Sequence, residues 1–245
     1  MAFKNFRVET DADGIALVTW DIPGRSMNVL DTTTVEELAA IVQQTTADAA
    51  VKGVVITSGK EAMSAGADLT MLESMSQLYA KMLKEQGEVA ANQFLFTESG
   101  KLSQTLRAIE TSGKPWVAAI NGLALGGGFE LTLACHYRVA ADNPKTRLGL
   151  PEVKVGLFPG AGGTQRVPRI VPTQDALQFL LKGDAINLTK AKAMKLVDAV
   201  VPPADLITSA KDWIKGGGKA VAPWDEKGFK LPSGPVYSKA GTMTF

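Results

Sequence analysis

The sequence has a single cysteine, Cys135, and a single histidine, His136, in 245 residues. One cysteine rules out an internal disulfide framework and suits a reducing compartment. With so few nitrogen and sulfur donors, a zinc site would have to be built mostly of carboxylates, which zinc seldom accepts. Charge of one sign is also missing: 26 Lys and Arg stand against 25 Asp and Glu, scattered along the chain. That balance gives no electrostatic case for nucleic acid or an anionic membrane. No apolar run reaches membrane-spanning length. The N-terminus, MAFKNFRVETDADG, has neither the apolar core of a signal peptide nor the arginine-rich pattern of a transit peptide. The expectation from these absences is a cytoplasmic soluble protein.

What is present reads as alternating strands and helices. FRVETD and IALVTWD, separated by a turn at 11–14, form a hairpin pattern. Residues 32–44 carry helical apolar spacing, and VKGVVITS (51–58) is a short β-branched run of the kind found in buried parallel strands. After the loop EAMSAGADL comes a long stretch, 71–110, with Met71, Met75 and Met82 beside Leu72, Leu78 and Leu83. Such a stripe reads first as helical core; methionine also suits a surface that adapts to a flexible apolar ligand. KPWVAAING is another buried strand, FELTLACHYRVAAD a helix leading to a strand at 137–141, and RLGLPEV a short strand and loop. Residues 176–201 give two helices parted at Gly183 and a short strand at VDAVV. Strand–helix alternation argues an α/β architecture with parallel sheet. From residue 202 the composition turns rich in glycine and proline. The chain therefore divides into a core, 1–201, and a segment 202–245 that holds one short helix (206–214) and a linker-like tail.

Two motifs carry chemistry. In ALGGGFEL (124–131) a strand runs into three glycines and then a helix start, where unpaired N–H groups and the helix dipole attract negative charge. Close packing of loop on helix is the competing reading of the glycines. Neither this loop nor PGAGGTQR (159–166) has the lysine of a P-loop, and no G-x-G-x-x-G follows a strand. In LGLPEVKVGLFPGAGG, Glu152 sits among apolar residues, where burial would favour the protonated acid. Glu130, in the first turn of its helix, would be favoured as the ionised form by the dipole. Carboxyls pushed apart in this way suggest an acid and a base, although spacing alone does not bring them together.

The run from AAINGLALGGGFEL through DNPKTRLGLPEV to FPGAGGTQRVPR, preceded by SAGADL (64–69), resembles the signature region of the crotonase (enoyl-CoA hydratase/isomerase) superfamily, over residues 6–202. The wording is most similar to the N-terminal hydratase domain of multifunctional fatty-acid β-oxidation enzymes. The resemblance implies an α/β crotonase (ClpP-like) β-β-α spiral enclosing a thioester site. It implies an oxyanion hole from the N–H groups of Ala67 and Gly127, with Glu130 activating a water for attack at Cβ and Glu152 delivering a proton to Cα. Gly160 matches a position whose N–H helps to hold that water. The acyl-CoA would lie against Ser64, Ala65, Gly66 and Asp68, with Met27 and Asn28 close by, and its tail under the Met-rich stretch.

The implied reaction is hydration of a 2-trans-enoyl-CoA to the 3-hydroxyacyl-CoA, a lyase step. The alternatives are Δ3-Δ2-enoyl-CoA isomerisation, which needs mainly Glu152, or a catalytically weak acyl-CoA-binding scaffold. Coenzyme A enters as part of the substrate, so no separate cofactor is expected. The resemblance further implies a thiolase partner subunit and a dehydrogenase domain following in the full-length protein; no dinucleotide fingerprint lies within these 245 residues. His136 replaces an aspartate common in the family and reads as structural.

Overall fold

A computed structural model describes residues 3–234. The distal part of the linker-like tail, 235–245, lies outside the described residues. A six-stranded sheet runs in the order β1 (Phe6–Thr10), β2 (Ile15–Trp20), β3 (Gly53–Ser58), β4 (Trp116–Ile120), β6 (Tyr137–Ala141), β8 (Ala199–Val201). Only the β1–β2 hairpin is antiparallel; every other pair is parallel. β3 and β4 are buried along their whole length, as continuous apolar runs in a parallel sheet require.

A second, much smaller sheet stands beside the first. Its strands are β5 (Ala124–Leu125) and β7 (Leu148–Gly149), paired in parallel. Single-residue bridges extend it: Leu30 with Ala67, Ser64 with Ala124, and Leu148 with Ile186. The order along the chain makes the repeat visible. β2 is followed by Leu30 and then helix α1 (Thr32–Ala47). β3 is followed by 64–67 and then α2 (Leu69–Gln86) and α3 (Glu88–Glu110), and β4 by β5 and then α4 (Gly127–Ala134). Each turn thus places one long strand in the large sheet, one short extended piece in the small sheet, and then a helix.

The caps explain where these helices start. Asp31 accepts the Thr34 N–H at 2.7 Å to open α1, and Asp68 accepts the Thr70 N–H at 2.8 Å to open α2. α4 has all eight residues buried, so its apolar character on every face fits its position inside the molecule. Side chains alternate across the large sheet. Trp116, Ala118 and Ile120 of β4 enter the main core; Val117 and Ala119 face a second cluster covered by α8 (Leu206–Lys215). Leu206, Ala210 and Ile214 of α8 are buried in that cluster, and Trp213 stacks on Tyr137 with centroids 4.7 Å apart. The short helix expected at 206–214 therefore packs on the sheet rather than hanging from it.

The strands and helices read from sequence are present, with two differences. The stretch 71–110 is two helices broken at Gly87, which caps α2 with φ +86°. The Met and Leu stripe at its start is also not core: α2 has no buried residue, and Leu69, Leu78 and Leu83 are exposed, whereas Leu106 and Ile109 of α3 do enter the core. Helical spacing records which face packs, and here that face meets chiefly α3.

Candidate active site

The three glycines of ALGGGFEL have three separate causes. Gly126 precedes α4 with φ +54°, a conformation that favours glycine. A side chain there would put its Cβ 3.2 Å from Glu152 Oε1 and 3.5 Å from Gly66 Cα. At Gly127 a Cβ would lie 2.5 Å from Leu30 Cδ1, with Leu102 Cδ2 at 3.4 Å and Glu130 Oε2 at 3.8 Å. At Gly128 it would collide with the buried Ser64. Both readings of the motif hold together: Gly128 serves packing, while Gly126 and Gly127 border the two glutamates.

Two backbone donors without a partner border this space. Leu30 donates to Gly66 O at 2.8 Å, and Asp68 donates to Leu30 O at 3.0 Å. In that parallel pattern the intervening Ala67 N–H is turned away from Leu30. Gly127 is the first residue of α4, so its N–H has no carbonyl one turn back. Among the described residues neither N–H has a hydrogen-bond partner.

Glu130 sits one turn along α4 and is 2% exposed. Its Oε1 accepts the N–H of Ala161 at 2.9 Å and of Gly163 at 2.7 Å. Its Oε2 makes no such bond and lies on the Gly127 side. Burial pushes the carboxyl up to about 7; the Gly163 N–H pulls it back in part, and the nearby Glu152 charge raises it again. Glu152 opens a short 3-10 helix, Glu152–Val155, and is half-buried. Its Oε2 is enclosed and unpartnered, and burial raises its pKa too. The expected contrast between the two carboxyls is thus corrected: Glu130, not Glu152, is the more deeply buried. A helix start offers partial charge, but the apolar shell of an all-buried helix outweighs it.

The other expected site residues fall into two groups. Ser64, Ala65, Gly66, Ala67 and Asp68 form one continuous rim. Ser64 Oγ donates to Asn28 O at 3.1 Å and accepts from Gly66 N–H at 3.1 Å, and Ala65 N–H donates to Asn28 O at 3.0 Å. Asp68, ion-paired to Arg25 at 2.7 Å, is held well below the usual carboxylate range by that guanidinium and its Thr70 cap. Met27, the neighbour of Asn28 in the chain, is half-buried. Asn28, by contrast, has its side chain spent inside the fold: Oδ1 accepts Ile22 N–H, and Nδ2 donates to Trp20 O and Ser58 Oγ. It supports the rim and offers a ligand no side-chain group. Gly160 is exposed, and the loop amides that reach Glu130 belong to Ala161 and Gly163.

His136 is structural, as its isolation suggested. Nδ1 accepts the Trp116 N–H at 3.0 Å and Nε2 faces Glu110 O at 3.2 Å, which selects the neutral tautomer protonated at Nε2. The residues that sequence reading missed are the amides of Ala161 and Gly163 and the apolar walls Leu30 and Leu102. No side-chain chemistry marks a backbone amide, and Leu102 reaches the site only because α3 folds over α4. Among the described residues no group of three or more His, Cys, Asp or Glu is placed to hold a metal ion, and no helix is long and apolar enough to cross a membrane.

Two neighbouring carboxyls, one buried and one half-buried, and two backbone N–H groups without partners thus lie together on a spiral of β-β-α turns, a fold of the crotonase kind. Residues 10–217 match the model of the enoyl-CoA hydratase/isomerase family, and the chain belongs to that family. The enoyl-CoA hydratase of Bacillus anthracis is a structural relative at TM-score 0.74 and 31% identity, over 86% of this chain and 76% of that one. The fatty acid oxidation complex subunit alpha of Shewanella frigidimarina is 43% identical over 222 residues, and that of Shewanella amazonensis 42%. Each alignment takes in 90% of this chain and 29% of the relative. The chain thus spans less than a third of the length of these curated relatives.

Proposed function

We propose that the protein is an enoyl-CoA hydratase, adding water syn across the double bond of a 2-trans-enoyl-CoA to give the 3-hydroxyacyl-CoA of fatty-acid β-oxidation. The observation that carries this reading is the convergence of Glu130 and Glu152, both with raised pKa, beside the unpaired N–H groups of Ala67 and Gly127. The thioester oxygen takes those two donors, which stabilise the negative charge that develops on it in the enolate-like transition state. Loss of one such donor costs roughly 2.7–4 kcal/mol in other enzymes. Glu130, with Oε1 tied to the loop and Oε2 left over, takes a proton from water as its oxygen bonds to Cβ. Glu152, whose pKa burial raises above its ordinary value, delivers a proton to Cα. The proton left on Glu130 returns to Glu152 as the product leaves, so both carboxyls are restored and one water is consumed. The step calls for no cofactor beyond the CoA of the substrate.

The acyl-CoA is proposed to lie along the rim 64–68, with its apolar tail running past Leu102 under α2 and α3. Membership of a larger complex is a proposal suggested by the names of the Shewanella relatives; a thiolase partner and a dehydrogenase domain in a longer protein are proposals that rest on the sequence resemblance alone. The direct test is loss of the conjugated-thioester absorbance of crotonyl-CoA, with Glu130→Gln and Glu152→Gln as controls. Turnover absent in both variants while thioester binding persists supports the reading; a silent wild-type chain that folds and binds opposes it.

A further inference from the structure

The hydratase reading uses Glu130 and Glu152 but leaves a buried ion pair beside them without a role. Arg166, in α5 (Gly163–Ile170), donates from Nε to Glu110 Oε1 at 2.6 Å; the two side chains are 7% and 3% exposed. Its Nη1 donates to Ala161 O at 2.7 Å. Ala161 O belongs to the peptide lying between the two N–H groups that grip Glu130 Oε1. The guanidinium rests on bare backbone: Gly162 has φ +104°, and a side chain there would run into Nη1. The loop therefore folds around Arg166 on one side and Glu130 on the other. Glu110 is held in turn by Arg107, which forks onto Asp225 at 2.7 and 2.8 Å.

We propose that Arg166, clamped by Glu110, is a positioning residue for Glu130: it fixes the Ala161 carbonyl and so aims the Ala161 and Gly163 N–H groups at one carboxylate oxygen, leaving Oε2 for the water. A buried ion pair is weak evidence for stability, because its desolvation cost rivals its attraction. The directional bonds of this one end on the loop that cradles the base. Arg166 touches no reacting atom, and its effect passes through the loop. The charged groups that act on Glu130 are Arg166 from α5, which favours its ionised form, and Glu152 from the 3-10 helix, which opposes it.

The inference rests on Glu130 being the base of a hydratase, and the experiment separates the two. Arg166→Lys keeps the buried charge of Glu110 matched but loses the planar fork that spans Glu110 and Ala161. Glu110→Gln/Arg166→Met removes both charges with little change in volume. In the full 245-residue chain we expect kcat for crotonyl-CoA to fall about 100-fold in the double variant, the scale of a catalytic group displaced by about 1 Å. Arg166→Lys should fall between it and wild type, with KM nearly constant in both. The acid limb of the pH profile should move to higher pH in the double variant, because the ionised form of Glu130 loses support. Infrared titration of the carboxyl band that disappears in Glu130→Gln reads the same shift without any turnover.

A folded double variant with wild-type kcat and an unmoved limb overturns the proposal. So does a fall in kcat that tracks lost stability while the Glu130 band titrates as in wild type. If the double variant does not fold, a folded Arg166→Lys with wild-type kcat and titration overturns it alone. If the wild type itself shows no hydration, the hydratase reading fails, and the infrared shift still decides whether Arg166 positions Glu130.

Discussion

Gly66 meets Gly126 backbone to backbone: a Cβ at Gly66 would lie 3.1 Å from Leu125 O, and one at Gly126 3.5 Å from Gly66 Cα. That approach sets the next residue of each segment, Ala67 and Gly127, on the border of one space. In the proposed reaction these two loops, from different turns of the spiral, would each supply one donor, so that neither SAGADL nor ALGGGFEL would be a site alone.

Gly127→Ala should therefore cripple turnover without removing any hydrogen-bonding side chain. The added methyl would lie 2.5 Å from Leu30 Cδ1, the end of a side chain that is itself buried, so Leu30 must turn into filled core or α4 must shift. We expect kcat to fall at least about 100-fold, in line with a lost oxyanion donor, and stability to drop by about 1–3 kcal/mol from overpacking. Steady-state kinetics and urea unfolding on the same preparation check both.

Glu130→Gln should trade activity for stability. Removing a positioned acid–base group costs about 10²–10⁴-fold in rate. The folded-state pKa of about 7 is raised above that of the unfolded chain. The native state therefore binds this proton more tightly, and the resulting stability is full below about pH 4.3 and lost as pH rises through about 7. Between pH 5 and 8 the wild type should lose roughly 2–3 kcal/mol that Glu130→Gln does not lose. Urea melts of both proteins at the two pH values measure the difference directly.

His136 carries the opposite sign. Burial lowers its pKa, so the neutral ring contributes stability that is present above the unfolded value of about 6.5 and lost as pH falls through the lower folded value. His136→Ala leaves the Trp116 N–H without its acceptor and should cost about 1–3 kcal/mol, while kcat stays unchanged. Thermal melts across pH 5–8 and the crotonyl-CoA assay test the two halves separately.

Asn28→Ala should act on folding rather than on substrate affinity. Its amide ties Ile22, Trp20 and Ser58 together inside the molecule. We expect a loss of about 1–3 kcal/mol for each buried partner left unpaired. Any folded fraction should keep the wild-type KM. A raised KM in a fully stable variant would put Asn28 in contact with the ligand instead.

Much of the architecture was legible because strands such as GVVITS and WVAAI are continuous apolar runs and residues 32–44 carry helical apolar spacing. The glycine loop and both glutamates were legible from composition in local context. What escaped has a physical reason in each case. Gly87 breaks the 71–110 helix through backbone conformation alone, and the methionine stripe of α2 gave no sign of whether a core or another helix would cover it. The relative burial of Glu130 and Glu152 depends on what packs around α4, which spacing does not encode. The grip of Ala161 and Gly163 on Glu130 is made by main-chain groups that every sequence possesses.

The central claim is that Glu130 and Glu152 act together on one thioester held by backbone donors. The most direct measurement follows the conjugated-thioester absorbance of crotonyl-CoA with wild type, Glu130→Gln and Glu152→Gln, alongside equilibrium binding of a saturated acyl-CoA to each. The account requires turnover in the wild type, its loss by about 10²–10⁴-fold in each single variant, and binding that stays close to wild type in all three. Turnover surviving in either glutamine variant, or absent from a wild type that folds and binds, would contradict it.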